Sequence, residues 1–145
     1  MTQEDGLDPA SLARAEFAFP GPLRDRLVAV ILTGAKTSTS SLLLGYEVEG
    51  EGLPRVGDRE AVVDSAGVPV AVIETTAVQV VRLADVDLAH AVDEGEGNET
   101  VAEWRADHES FWHSAEHREA LGEPGLTVDD DTPVVLRRFR LVRPV

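Results

Sequence analysis

The sequence predicts a small α+β barrel with flanking helices, and three observations carry that reading. The candidate elements run helix, extended segment, hairpin, helical insertion, strand, an order that disfavours a doubly wound parallel sheet. The two best-marked strands, Arg59 to Ser65 and Val68 to Arg82, are β-branched and flank Ala66-Gly67, which suits a tight hairpin. A chain of 145 residues, 43% hydrophobic and 28% charged, suits one domain with one core.

Residues 1–15 read as a leader, with a short helical stretch from Pro9 to Glu16, and residues 16–145 as the domain. The start, Met1-Thr2-Gln3-Glu4-Asp5, is acidic and no apolar run follows it, so no secretory signal is expected. After Pro20, Gly21 and Pro22, a helix is predicted from Pro22 to Thr33, with Leu23, Leu27, Val30 and Ile31 at helical spacing. Gly34 stands where a left-handed C-terminal cap belongs. Ala35 to Ser41 is extended in character, Leu42 to Glu49 fits helix or strand, and Leu53 to Asp58 is a loop.

In the second hairpin strand, Val68, Val70, Val72, Thr76, Val78 and Val80 form the expected apolar face. Glu74 interrupts it. A buried carboxylate there needs a cationic or hydrogen-bonding partner, or a solvated cavity. Asp85 to Val92 reads as a short helix and Asp93 to Asn98 as an acidic loop. Thr100 with Glu103 makes a capping box that opens a helix running to Leu121, closed by Gly122. Its apolar stripe is Trp104, His108, Phe111, Trp112 and Ala115. Glu123 to Thr132 is an acidic turn region, and Pro133 to Val142 is the final strand.

The net charge of −14 is unevenly spread. Between Leu83 and Asp131, the helical insertion, fifteen acidic residues face only Arg105 and Arg118. The last fourteen residues hold Arg137, Arg138, Arg140 and Arg143 with no acid. This pattern disfavours long duplex nucleic acid but leaves a local cationic site open. The longest apolar run, Leu27 to Leu32, falls far short of the roughly 20 residues that cross a bilayer, so no membrane partner is expected. The absence of cysteine excludes disulfides, thiolate metal sites and a Cys nucleophile. A cytoplasmic protein is the expectation.

Several motif matches fail on context. Gly34-Ala35-Lys36-Thr37-Ser38-Thr39 lacks the first glycine and the following helix of a phosphate loop. Gly95 and Gly97 follow a helix instead of a strand, unlike a dinucleotide fingerprint. His113-Ser114-Ala115-Glu116-His117 matches a zinc-protease pattern, but no third ligand is evident, so no metal is assigned. His108, Trp104, Phe111 and Trp112 read as core residues. What remains is Lys36, the only lysine, with Thr39 and the carboxylates Glu74 and Glu96. The plain alternative makes Lys36 a solvated base at a helix end, favourable to the dipole there.

Gly34-Ala35-Lys36-Thr37-Ser38-Thr39 resembles the G-x-K-x-x-T signature of the ASCH family, relatives of the PUA RNA-binding domains. The similarity continues through Gly57-Asp58, Val72 to Thr76, Glu94-Gly95-Glu96-Gly97 with Trp104, and Pro133-Val134-Val135 with Arg138-Phe139, covering about residues 16–143. The resemblance implies a PUA-like β-barrel with a cleft beside the signature, binding a small nucleoside or short single-stranded RNA. Some small members hydrolyse the amide of N4-acetylcytidine, and others are described as ribonucleases. Carried over by matching blocks, the catalytic residues are Lys36, Thr39 and Glu96, and Gly34, Glu74, Arg138 and Arg140 are ligand-binding candidates. No cofactor is implied. The chain departs from the small members in a longer loop from Gly45 to Pro54 and a larger, very acidic insertion. Thr39 needs an adjacent base to act as nucleophile or to orient water, and either a neutral Lys36 or Glu96 fits that role. A charged Lys36 would instead stabilise a developing oxyanion. The alternative function is a non-catalytic RNA-binding module, or a ribonuclease on single-stranded RNA.

Overall fold

Asp8 and Pro9 begin a single 3-10 turn, Pro9–Ser11, in which the Asp8 carboxylate accepts the Ala10 N–H. The helical reading of Pro9 to Glu16 ends there, because the chain then extends as β1 (Ala13–Ala15), paired in parallel with β3 (Arg59–Val63). The computed structural model describes residues 8–145, so the acidic start of the leader lies outside the described residues. The remaining elements are α1 (Pro22–Leu32), β2 (Ser38–Leu42), α2 (Leu43–Glu49), β4 (Pro69–Arg82), α3 (Leu88–Asp93), α4 (Val101–Trp112), α5 (Ala115–Leu121) and β5 (Pro133–Pro144). The segment that fitted helix or strand is therefore α2, closed by left-handed Gly50.

The strands are ordered β1-β3-β4-β5-β2 in one five-stranded sheet. That order is open, with β1 and β2 at its ends, so the expected barrel is not closed by the strand pairing among the described residues. The fold is α+β with a mixed sheet.

By their contacts the described residues form two compact units, residues 8–37, 54–78 and 137–145 in one and residues 38–53 and 79–136 in the other. Instead of one core there are two apolar clusters, one in each unit.

In the first unit, Leu27, Val28 and Ile31 of α1 join Val62, Ala71, Ile73, Phe17 and Phe139. Ala71 and Ile73 of β4 belong to this cluster, but Val72 of the expected face is equally buried and Val70 packs beside the cluster, so both faces of β4 are covered near its start. Val68 and Val80 of the expected face are exposed, and Thr76 is exposed with them. The exposed valines there follow strand propensity. The hairpin register pairs Arg59 with Glu74 and Ala61 with Val72, as a loop centred on Ala66-Gly67 dictates, with a bulge at Val62/Val63. Asp64 holds that loop, its side chain accepting from the N–H groups of Ala66 and Val68.

Arg24 of α1 is buried with all its bonds made inside the first unit. Its Nε donates to the Phe17 carbonyl at 3.3 Å, Nη1 to Asp64 O at 3.2 Å and Nη2 to Ala18 O at 2.7 Å, with Glu16 also paired at 3.3 Å. Ala18 presents its carbonyl from a left-handed backbone (φ +62°), an uncommon state for alanine.

In the second unit, Leu42, Leu83, Val86, Ala91, Trp104, Trp112, Val134 and Leu136 pack together. The two indoles meet edge to face at 6.4 Å. The insertion is anchored where Leu83 N–H donates to Thr132 O and Ala84 N–H to Asp130 O. The single helix expected from Thr100 to Leu121 is two. His113 caps α4, and the Ser114 hydroxyl accepts the His117 N–H to open α5. Thr100 caps α4 as predicted by accepting the Glu103 N–H, but the Glu103 carboxylate returns to the Glu99 N–H, one residue earlier than a full capping box requires.

Candidate functional site

Gly34, left-handed at φ +83°, ends α1 as the sequence requires, its N–H donating to Ile31 O. The chain then turns back, and the Lys36 N–H donates to Val30 O at 3.3 Å. The result is a lysine only 2% exposed, so Lys36 is not the solvated helix-end base of the plain alternative. Its Nζ lies 5.9 Å from the centroid of the Phe17 ring, within cation–π range. The Thr37 carbonyl accepts the Phe139 N–H, fixing the following peptide.

Thr39 is half-buried in β2. Its neighbours Ser38 and Ser40 face α3: Ser38 Oγ donates to His90 O at 3.0 Å, and Ser40 Oγ reaches the His90 ring at 2.8 Å. Strand alternation therefore directs Thr39 to the opposite side of β2 from these serines.

The centre of the second unit's polar network is Glu94, 1% exposed at the end of α3. Its Oε2 accepts from Ser40 Oγ at 2.6 Å and Trp104 Nε1 at 2.9 Å, and lies 3.1 Å from His90 Nε2. Its Oε1 lies 3.1 Å from His108 Nε2. On the other side of that ring, Nδ1 is 2.8 Å from the Trp104 carbonyl, which only accepts, so Nδ1 carries a proton. Both ring nitrogens thus face acceptors, the arrangement of an imidazolium. Burial pulls His108 toward the neutral form, but the Glu94 bond and charge, the Trp104 carbonyl and Glu96 outweigh it and hold its pKa above the ordinary value of 6.5. The ring also stacks on Trp104 at 4.2 Å and meets Trp112 edge-on at 5.4 Å.

Glu94, Glu96 and His108 bring one ligand atom each within 4.8 Å of one another, the one such group among the described residues. In its protonated form His108 pairs with Glu94 across this group, and no metal is assigned to it. The His113 and His117 rings are also committed, His113 Nε2 accepting the Val128 N–H and His117 Nδ1 bonding to Trp112 O.

On the sheet of the first unit, Glu74 has the partners its position demanded. Arg59, its register partner on β3, donates from Nε at 2.9 Å, and Arg140 on β5 donates from Nη2 at 3.3 Å, both to Oε1. These two guanidinium groups hold the Glu74 carboxyl below the ordinary carboxylate value. Arg138, half-buried, shares the Arg140 face by strand alternation.

Of the candidates read from the sequence, the structure brings Glu74 together with Arg140, and Glu96 with the Glu94–His108 pair. Sequence reasoning missed Glu94, Ser40, His90 and Arg59 as site residues. Signals for two of them were present: His90 and Glu94 are one helical turn apart, and the hairpin centre places Arg59 opposite Glu74.

The ASCH domain family model matches residues 16–143. No curated protein matches. Among solved structures, one similar chain is a protein of Enterococcus faecalis V583, 27% identical with a TM-score of 0.78, covering 91% of this chain and 77% of that one. Another is an ASCH domain from Lactobacillus crispatus JV V101, 28% identical with a TM-score of 0.74, covering 90% and 80%. The ASCH protein of Zymomonas mobilis, 12% identical with a TM-score of 0.52 over 95% and 74%, shares the fold.

Proposed function

Since the chain belongs to the ASCH domain family, which is thought to bind RNA, we propose that it takes a small nucleoside or a short single-stranded RNA and hydrolyses a modified-nucleoside amide such as N4-acetylcytidine. The observation that carries the reading is the burial of Lys36 within the Gly34-x-Lys36-x-x-Thr39 segment. A lysine that only balances a helix dipole keeps its ammonium in water, whereas a buried ammonium must be paired or hydrogen-bonded, which holds it in a fixed position for a ligand.

In this reading Thr39 attacks the acetyl carbonyl or orients the attacking water, and a neutral Lys36 takes the released proton, because Glu96 lies with Glu94 on the Ser40 side of β2. Charge develops on the carbonyl oxygen, and a protonated Lys36 stabilises it. The C–N bond breaks, the exocyclic nitrogen regains a proton, and cytidine leaves. Acetate leaves directly on the water route, or after hydrolysis of the Thr39 ester on the nucleophile route. A neutral nucleoside amide also suits an acidic protein better than a polyanion does.

The test is chromatographic detection of cytidine from N4-acetylcytidine. Deacetylation by the wild type, lost in Lys36→Ala and in Thr39→Ala, is expected. Wild-type inactivity at every pH from acid to alkaline sinks the hydrolase reading. A second reading, a binding module without chemistry, is favoured by the arginines that flank Glu74.

A further inference from the structure

Ser40 of β2 plays no part in the reaction proposed above, yet its hydroxyl has the setting of a nucleophile. Ser40 Oγ lies 2.6 Å from Glu94 Oε2 and 2.8 Å from His90 Nε2, and those two atoms lie 3.1 Å from each other. The short contact is the Ser40 O–H donated to the carboxylate, a charge-assisted bond. With that proton spent, the serine oxygen and the carboxylate both face His90 Nε2 as acceptors, which assigns it the donor role. One lone pair of Ser40 Oγ is left for a reacting carbon. The order differs from a serine–histidine–carboxylate relay, in which the histidine stands between the other two. Here the serine touches the carboxylate directly.

The three side chains come from one compact unit, and local bonds fix them. Ser38 Oγ donates to the His90 carbonyl at 3.0 Å, and the His90 N–H donates to Asp87 Oδ1 at 2.9 Å, which ties α3 to β2. Trp104 Nε1, 2.9 Å from Glu94 Oε2, holds the carboxylate from α4. Glu94 and His90 are buried, whereas Ser40 is partly exposed. The carboxylate is thus shut away from water while the serine that touches it is reachable, the division that an attacking hydroxyl and its base require.

We propose that Ser40 is a nucleophile for acyl transfer from neutral carboxylic esters, with Glu94 as its general base and His90 as the residue that positions its oxygen. This activity is separate from the nucleoside reading and does not rest on it. Ser40 Oγ attacks the ester carbonyl carbon as its proton passes to Glu94. The tetrahedral oxyanion collapses, and the bond from carbon to the alkoxy oxygen breaks. The proton on Glu94 goes to that oxygen, so an alcohol leaves and an acyl ester of Ser40 remains. Water then attacks the acyl carbon and gives a proton to Glu94. The carboxylic acid departs as Ser40 Oγ regains that proton. Charge selects the substrate class. The unit of residues 38–53 and 79–136 holds three basic and eighteen acidic residues, so anionic esters are repelled and neutral ones are not.

The probe is p-nitrophenyl acetate, followed by nitrophenolate release and by mass mapping of the acid-quenched protein. Release above the uncatalysed rate is expected, with an acetyl group on Ser40. Ser40→Ala, shown to be folded by circular dichroism, should lose both. Glu94→Gln keeps a hydrogen-bonding group beside the hydroxyl but cannot take up its proton, so the folded variant should acylate about 10²-fold more slowly. If that variant does not fold, Ser40→Ala decides alone. A wild type with neither release nor label overturns the proposal. So does an acetyl group found on Lys36, Thr39 or Tyr46 instead of Ser40, a folded Ser40→Ala with undiminished release, or a folded Glu94→Gln as fast as the wild type. Acetyl trapped on Ser40 in a protein that leaves N4-acetylcytidine intact upholds this proposal and counts only against the nucleoside reading.

Discussion

His108 joins local packing to charge most directly. With Nδ1 against the Trp104 carbonyl and Nε2 against Glu94, the native state favours the imidazolium. A group whose folded pKa is raised contributes stability that is full below its unfolded value of about 6.5 and fades as pH rises through the folded value. Denaturant unfolding followed from acid to alkaline pH should therefore show stability falling as pH rises past about 6.5, and His108→Gln should flatten it. That variant also removes a cation from a buried carboxylate, a loss of about 2–4 kcal/mol, tempered by the remaining Ser40 and Trp104 donors. The sequence shows His108 and Trp104 as core positions because both fall on the apolar stripe of α4. It conceals Glu94, since one glutamate in the acidic run Asp93-Glu94-Gly95-Glu96 looks like any other solvated acid until the fold buries it.

At the level of elements, the signals that held were those with a single physical cause. Pro22 and Gly34 bracket α1, Thr100 opens α4, Gly122 closes α5, and the hairpin centre sets the β3–β4 register. Those that failed had two competing causes. The apolar periodicity of α4 runs on through Ala115, so it masks the break that Ser114 makes with its hydroxyl. Ser114→Ala should cost about 1 kcal/mol in chemical denaturation, because the N-terminal turn of α5 loses its side-chain acceptor. In β4 Val72 is buried as deeply as Ala71 and Ile73 while Val68 and Val80 are exposed, so period-two alternation does not report which positions tertiary packing covers. The candidate site was legible in part for the same reason: spacing identifies Lys36 as unusual, but burial is a tertiary property.

For the molecule as a whole, the order of the elements made the α+β class readable, while closure of a barrel is a matter of strand pairing that composition does not report. The charge imbalance has a measurable consequence. Eighteen acids against three bases in one unit repel one another, and added salt screens them over a Debye length of about 10 Å at 0.1 M. The Tm should therefore rise with sodium chloride from very low ionic strength, by about 2–4 °C for each kcal/mol relieved. A Tm that falls or stays flat in scanning calorimetry contradicts this.

Arg24 sets a limit on how short the protein can be made. The oxygens that receive its guanidinium come from Phe17 and Ala18, upstream of the first helix, as well as from the hairpin at Asp64. A trimmed version that begins after Ala18 would keep the cation in the interior and discard three of its four acceptors, those of Glu16, Phe17 and Ala18. The few residues ahead of α1 are thus as much a requirement for folding as the helix itself, and a shortened protein should retain them or replace Arg24 with an apolar side chain of similar volume.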